Sequence, residues 1–361
     1  MRKVLIVDCN AKVGGIQKAL IAYLKTLSKS DDVTLQLFYK NGPLLSEIPS
    51  NIKVLDTKSD LRFMGMAQSD CQTLKDKIKR GVYVIICRIL GQSFGIRIAR
   101  GFGKSNLREQ YDEAISYTHV TNYHSFYGGT PQYVLSLKNV KTRTCFVHCD
   151  YLESGNRSNY SDKIYLKFDN IVCVSKSTRE IFLKALPEMA EKVSYRYNDI
   201  DTDRIIELSN KEAYVYDKQY INMITVARFT KEKGVERFVN ILSRARNRKI
   251  RYYLLGDGEE KSAIMKRIQE ADLNNVFFLG EQKNPYKYMR NADLLVVPSY
   301  NEAAPVVFQE AIALGLPVLT TRTSSADEMI GSDHGIVVDN NDDSLYDIVM
   351  KIASNPEILR R

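Results

Sequence analysis

Tyr300-Asn301-Glu302-Ala303-Ala304-Pro305-Val306-Val307-Phe308-Gln309-Glu310-Ala311 carries two carboxylates eight residues apart. Just before it, Leu294-Leu295-Val296-Val297 runs into Pro298-Ser299, the pattern of a buried strand and its exit loop. Val306 to Leu314 reads as an apolar helix, stopped by Gly315 with Pro317 beyond. Glu302 then sits in the loop ahead of the helix, and Glu310 about two turns along. Open α/β sheets take their ligands in loops beyond the carboxyl ends of strands. Two acidic acceptors at this separation suit a molecule with hydroxyls at both ends, such as a nucleotide sugar. The same spacing also fits two solvated charges, so the rest of the chain must decide.

The pattern repeats on either side. Downstream of residue 220, apolar runs at Met223–Ala227, Tyr252–Leu255, Val276–Leu279, Leu294–Val297, Val318–Thr320 and Ile336–Val338 alternate with helical segments. Upstream, Val4–Val7, Val33–Phe38, Ile52–Leu55, Ala114–Tyr117, Thr144–Val147, Ile171–Val174 and Val193–Tyr197 do the same. The intervening helices are expected at Ile16–Leu27, Leu74–Ala99, His124–Leu137, Tyr160–Lys167 and Thr178–Leu186. Such alternation implies βαβ units and mostly parallel sheets. Asn198–Lys218 is polar and breaks the rhythm, so it reads as a connection. The expected fold is α/β, with two Rossmann-like doubly wound domains, 1–205 and 206–361, facing across a cleft.

Several strand exits carry residues suited to a phosphorylated ligand. Val226-Ala227-Arg228-Phe229-Thr230-Lys231-Glu232-Lys233-Gly234 places an arginine fork and a lysine point charge in one loop. That combination can hold a diphosphate without a metal. Gly256-Asp257-Gly258 and Gly280-Glu281-Gln282-Lys283 leave two neighbouring strands, where backbone groups could read a nucleobase. In the first half, Gly14-Gly15 precedes a helix whose free N–H groups favour an anion. The full G-x-G-x-x-G pattern is missing, which disfavours a dehydrogenase. Phe146-Val147-His148-Cys149-Asp150 ends another strand, with His148 at the rim and Asp150 beside it.

Together, Arg228 with Lys233-Gly234, Gly256-Asp257-Gly258, and Glu302 and Glu310 followed by Ala311 and Gly315-Leu316-Pro317-Val318 resemble the donor half of retaining glycosyltransferases of family 4. The Gly14-Gly15 loop and His148 resemble the acceptor half. The resemblance implies the GT-B fold and transfer of a sugar from a nucleoside diphosphate, UDP by default, to a glycan or lipid-linked hydroxyl. It implies that Glu310 holds the ribose and Glu302 the transferred sugar. Arg228 and Lys233 would neutralise the leaving diphosphate, Gly15 would let its loop approach the phosphates, and His148 would contact the sugar hydroxymethyl. Ala303, Ala304, Pro305 and Val306 would line the sugar pocket, with Gly14, Gly256 and Gln282 completing the donor set. A glycine often follows the first glutamate in this family, and here Ala303 stands there. A nucleotide-sugar epimerase and a non-catalytic partner of another transferase are the competing classes. The second should have lost donor residues that are all present here.

The net charge of +9 is uneven. Lys75–Arg108 holds nine basic residues and one acidic residue, Asp76, interleaved with Val82, Ile85, Ile89 and Phe94. No nucleic-acid motif accompanies this charge. A solvated basic face or an anionic membrane surface is expected there. Asp201-Thr202-Asp203 mimics a metal-binding D-x-D but falls in the connection, so no metal or other cofactor is expected. The six scattered cysteines form no C-x-x-C pair and read as reduced core thiols. The short apolar run at Val4–Val7, ended by Asp8, is not expected to be a signal peptide, and no run is long enough to span a bilayer. The expected location is the cytoplasm, peripheral on the inner face of the cell membrane.

Overall fold

The computed structural model describes residues 1–101, 109–247 and 249–359. The chain divides into two compact units, Met1–Asp199 and Ile200–Arg361.

In the first unit the elements run β1 (Lys3–Asp8), α1 (Gly15–Leu27), β2 (Asp32–Leu37), β3 (Lys53–Asp56), α2 (Leu74–Leu90), α3 (Gln92–Ala99), β4 (Tyr111–Ser116), α4 (Thr130–Leu135), β5 (Val140–Val147), α5 (Asn159–Tyr165), β6 (Asn170–Cys173), α6 (Lys176–Ala185) and β7 (Val193–Tyr195). The strands form one sheet in the order β3-β2-β1-β4-β5-β6-β7, every pair parallel. A parallel sheet covered on both faces needs apolar side chains on both. Accordingly Val4, Leu5, Ile6 and Val7 are all fully buried.

The second unit runs α7 (Thr202–Asn210), β8 (Ile221–Val226), α8 (Val235–Ala245), β9 (Ile250–Leu255), α9 (Lys261–Glu270), β10 (Val276–Gly280), α10 (Tyr286–Met289), β11 (Leu294–Val297), α11 (Val306–Ala313), β12 (Val318–Thr321), α12 (Ala326–Met329), β13 (Gly335–Val338) and α13 (Asp342–Ser354). Its sheet is also parallel, in the order β10-β9-β8-β11-β12-β13. Winding reverses between β1 and β4 in one unit and between β8 and β11 in the other. At such a switch point the two loops leaving adjacent strands part company, which opens a crevice at the carboxyl ends.

Three expected elements differ. The helix expected over Leu74–Ala99 is two helices, because Gly91 adopts φ +85 and a Cβ there would stand 2.3 Å from the Tyr123 ring. The helix expected over His124–Leu137 shrinks to α4, since Gly128 and Gly129 both take positive φ and Pro131 suits only its first turn. The supposed connection Asn198–Lys218 contains α7. Asp201 accepts a hydrogen bond from the Arg204 N–H at 3.0 Å as its cap, and Ile205 is buried in the core of the second unit. Asp201 thus serves as the N-cap of α7. All six cysteines are free and buried.

Candidate functional site

The switch point of the second unit lies between the loops that follow β8 and β11. Arg228 and Lys233 come from the first loop and Glu302 from the second. Lys233 Nζ donates to Glu302 Oε1 at 2.6 Å, and Ser299 Oγ donates to the same oxygen at 3.0 Å. The Glu302 side chain is only 11% exposed and that of Lys233 27%. The two loops are also joined through backbone, the Tyr300 N–H reaching the Glu232 carbonyl at 2.8 Å. Gly234 makes this approach possible. It sits in the left-handed region at φ +63, and a Cβ there would fall 2.1 Å from the Pro298 carbonyl oxygen. Arg228 is exposed at the start of the same loop.

Gly256, which follows β9, packs as closely on the other side. Its Cβ would fall 1.9 Å from the Ala227 carbonyl oxygen. The Asp257 carbonyl accepts from the Phe229 N–H at 2.9 Å, so this loop braces the Arg228 loop. After β10, the Gln282 amide donates to the Leu279 carbonyl and accepts from the Tyr288 hydroxyl at 3.3 Å, which fixes its side chain within its own loop.

Glu310 lies on α11, almost fully buried, and its Oε1 accepts from the Tyr286 hydroxyl at 2.8 Å. Ala303, Pro305 and Val306 are buried and Ala304 half-buried in the stretch that leads into this helix. The loops therefore bring Lys233 and Glu302 into contact, and Glu310 accepts a hydrogen bond from Tyr286. Ser299 and Tyr286 were not legible as partners. Ser299 reads as part of a strand exit, and only the fold brings Tyr286 to a residue 24 positions later. A cavity of about 210 Å³ in this unit, lined by Leu294, Gly315, Leu316, Asp333 and His334, sits at the amino ends of β11–β13 and away from these loops.

In the first unit, Gly14 precedes α1 in extended conformation and, having no side chain, offers the helix no cap of its own. A helix N-terminus carries N–H groups suited to an anion. His148 follows β5, its ring stacked on Phe146 at 5.9 Å and tilted against Tyr117 at 5.1 Å. Burial, reinforced by nearby His119, pushes its pKa down to about 3 despite a hydrogen bond with the Tyr117 backbone. The imidazole is neutral at physiological pH, and its buried Nε2 has no protein partner. A neutral imidazole nitrogen accepts a hydrogen bond well. Asp150 instead accepts the Leu152 and Glu153 N–H groups, each at 3.0 Å, and shapes the turn.

Two further groups escaped the sequence reading. Burial opposes charge on both His119 and Cys149, yet the attraction between their charged forms, with their mutual hydrogen bond, raises the imidazole pKa and lowers the thiol pKa. Asp8, at the end of β1, is fully buried, and desolvation lifts its pKa to about 7 against the Cys9 N–H and Gln17 that hydrogen-bond it. A charged residue ending a first strand and a histidine two residues past Tyr117 were the available signals.

Residues 208–361 match the family model of the glycosyl transferases group 1. An uncharacterized glycosyltransferase of Methanocaldococcus jannaschii is 30% identical over 207 residues, 52% of this chain and 50% of that protein. The N-acetylgalactosamine-N,N'-diacetylbacillosaminyl-diphospho-undecaprenol 4-alpha-N-acetylgalactosaminyltransferase of Campylobacter jejuni is 28% identical over 187 residues, 51% of this chain and 50% of that protein. The chain thus spans about half the length of these curated relatives in its matches. The crystal structure of Anabaena HepE in complex with UDP and glucose has a TM-score of 0.69 at 16% identity, covering 99% of this chain and 92% of that one. The fold, two doubly wound parallel-sheet units, is that of the GT-B glycosyltransferases.

Proposed function

We propose that this chain is a retaining glycosyltransferase that moves a sugar from a nucleoside diphosphate, UDP in the first instance, to a glycan or lipid-linked hydroxyl. The observation that carries the reading is the Lys233–Glu302 pair at the switch point, with Arg228 in the same loop and Glu310 on the helix behind. The match of residues 208–361 to the glycosyl transferases group 1 supports the donor half of the assignment. The UDP bound to HepE supports the nucleotide, and the diphospho-undecaprenol in the name of the Campylobacter enzyme supports a lipid-linked acceptor.

In this reading the anomeric carbon becomes oxocarbenium-like as the diphosphate departs. Stabilising charge on the leaving group is then the main catalytic task. Arg228 and Lys233 supply two fixed cations and take the place of a metal. Glu302, paired with Lys233 at 2.6 Å, accepts hydrogen bonds from the transferred sugar, with Ala303, Ala304, Pro305 and Val306 shaping its pocket. Glu310 accepts from the ribose hydroxyls, while Gly256 and Gln282 lie in the loops facing the base. From the first unit, Gly14 and Gly15 would offer N–H groups to the phosphates, and the neutral Nε2 of His148 would accept a hydroxyl of the sugar. Attack on the same face, with the departing phosphate taking the acceptor proton, retains the anomeric configuration. The site of action is the inner face of the cell membrane, in surface-polysaccharide or lipid-linked oligosaccharide assembly.

The test is a panel of nucleotide sugars screened for thermal stabilisation, with the selected donor then assayed for transfer in EDTA. Selective stabilisation by one diphosphate sugar and EDTA-resistant transfer with retained configuration are expected. Indifference to every nucleotide sugar, or transfer that requires added divalent metal, would overturn the reading.

A further inference from the structure

Helix α2 is built the wrong way round for a helix that serves only to cover a sheet. Of its residues, only Cys87 is fully buried. Leu74, Ile78, Val82, Ile85 and Ile89 are between 49% and 73% exposed. They recur at intervals of four, four, three and four, so at about 100° per residue they fall in one sector of roughly 80°. Cys87 lies on the opposite side of the same wheel. The apolar stripe therefore points away from the unit that carries it.

The inner side of α2 is fastened by polar links. Asp76 accepts from Arg62 at 2.8 Å, Lys79 reaches Asp60 at 3.3 Å, and the Tyr83 hydroxyl donates to Asp60 at 3.0 Å. Arg80 donates to the Met66 carbonyl at 3.2 Å and lies over the Phe126 ring. These contacts use up the acidic groups nearby. Exposed Lys75 borders the stripe on one edge, and exposed Lys77 and Arg88 border it on the other. Lys104 and Arg108 of the basic segment lie outside the described residues. Among the described residues no helix is long and apolar enough to cross a membrane.

We propose that α2 is an interfacial helix that lays its Leu74–Ile89 stripe into the acyl–headgroup boundary of an anionic bilayer, with Lys75, Lys77 and Arg88 on the lipid phosphates. A contiguous apolar stripe of this length calls for a cover. The cations along both edges select a surface that is apolar within and negative at its rim, which a phospholipid bilayer provides and an apolar protein groove does not. The inference deepens the membrane-surface part of the function above and rests on it. It also changes the expected mode of binding. A solvated basic face would be released by salt, whereas an inserted stripe keeps part of its hold once charge is screened.

The experiment is flotation of the full chain with phosphatidylcholine vesicles, with and without phosphatidylglycerol as about a third of the lipid. Wild type should float with the anionic vesicles, and a measurable fraction should remain bound at about 0.5 M salt. Ile78→Glu with Ile85→Glu should lower partitioning at least tenfold on the order expected for two charges in an apolar boundary. Both sites are exposed, so the melting temperature and nucleotide-sugar stabilisation should stay at wild-type values. Those two readouts separate failure of this inference from failure of the transferase reading. Wild-type failure to float, full release by salt, or undiminished flotation of the double variant would overturn it. So would a wild-type dimer in solution that the double variant converts to monomer, since the stripe would then be covered by a second copy.

Discussion

Replacing Lys233 with Ala tests the charge argument where the geometry is tightest. The change removes the Nζ that sits 2.6 Å from Glu302 Oε1 and leaves that oxygen the hydrogen bond from Ser299 Oγ. Because the Glu302 side chain is only 11% exposed, losing its cation should cost about 1–3 kcal/mol of stability. The catalytic loss should be separate and larger. Removing one preformed group that stabilises developing charge costs about 10²–10³ in kcat. Steady-state transfer with the stabilising donor, measured beside thermal unfolding, reads both. Lys233→Arg should recover part of the turnover, since it restores the charge with a different shape. Glu302→Gln combined with Lys233→Ala should recover stability but not turnover, because the unpaired buried charge is gone while the leaving group still lacks its cation. A Lys233→Ala enzyme that loses stability yet turns over within about threefold of wild type would refute the assignment of this lysine to the departing diphosphate.

Other outcomes follow from the same geometry. Glu310→Gln should raise the donor KM about tenfold with kcat little changed, if the carboxylate contributes uniform binding to the ribose. Tyr286→Phe removes a hydrogen bond to that buried carboxylate and should cost about 1.5–3 kcal/mol of stability by thermal or urea unfolding. Gly234→Ala should destabilise by about 1–3 kcal/mol and abolish transfer, because φ +63 and the Pro298 carbonyl at 2.1 Å leave no room for a Cβ. Asp8 has a folded pKa raised to about 7, above its unfolded value, so its contribution to stability is present at acid pH and is lost as pH rises toward 7. Asp8→Asn should therefore raise the melting temperature relative to wild type more at pH 8 than at pH 5.

Much of the architecture could be read from apolar runs. All seven upstream and six downstream strands lie where the alternation places them, because buried parallel strands demand continuous Val, Ile and Leu. Helices were harder wherever one glycine decided the matter. Gly91 splits α2 from α3 through its φ of +85, in a place where Tyr123, 32 residues later, fills the space a Cβ would need. The polar stretch after Asn198 hid α7 because its buried side is narrow, with Ile205 and Ser209 its buried residues. At the site, the loops bearing Arg228, Lys233 and Glu302 were legible as strand exits. The direct Lys233–Glu302 contact was not, since it depends on strand order β8-β11 rather than on sequence separation. The exposed stripe of α2 was partly legible as interleaved basic and apolar residues. Its outward direction required knowing that Cys87 faces in.

The most direct measurement is a crystal structure of this chain soaked with the nucleoside diphosphate sugar that stabilises it. The diphosphate is expected at hydrogen-bond distance from Arg228 and Lys233, the ribose on Glu310 and the sugar on Glu302. A nucleotide bound elsewhere, for instance in the cavity beside Leu294 and His334, with those four side chains untouched, would contradict it.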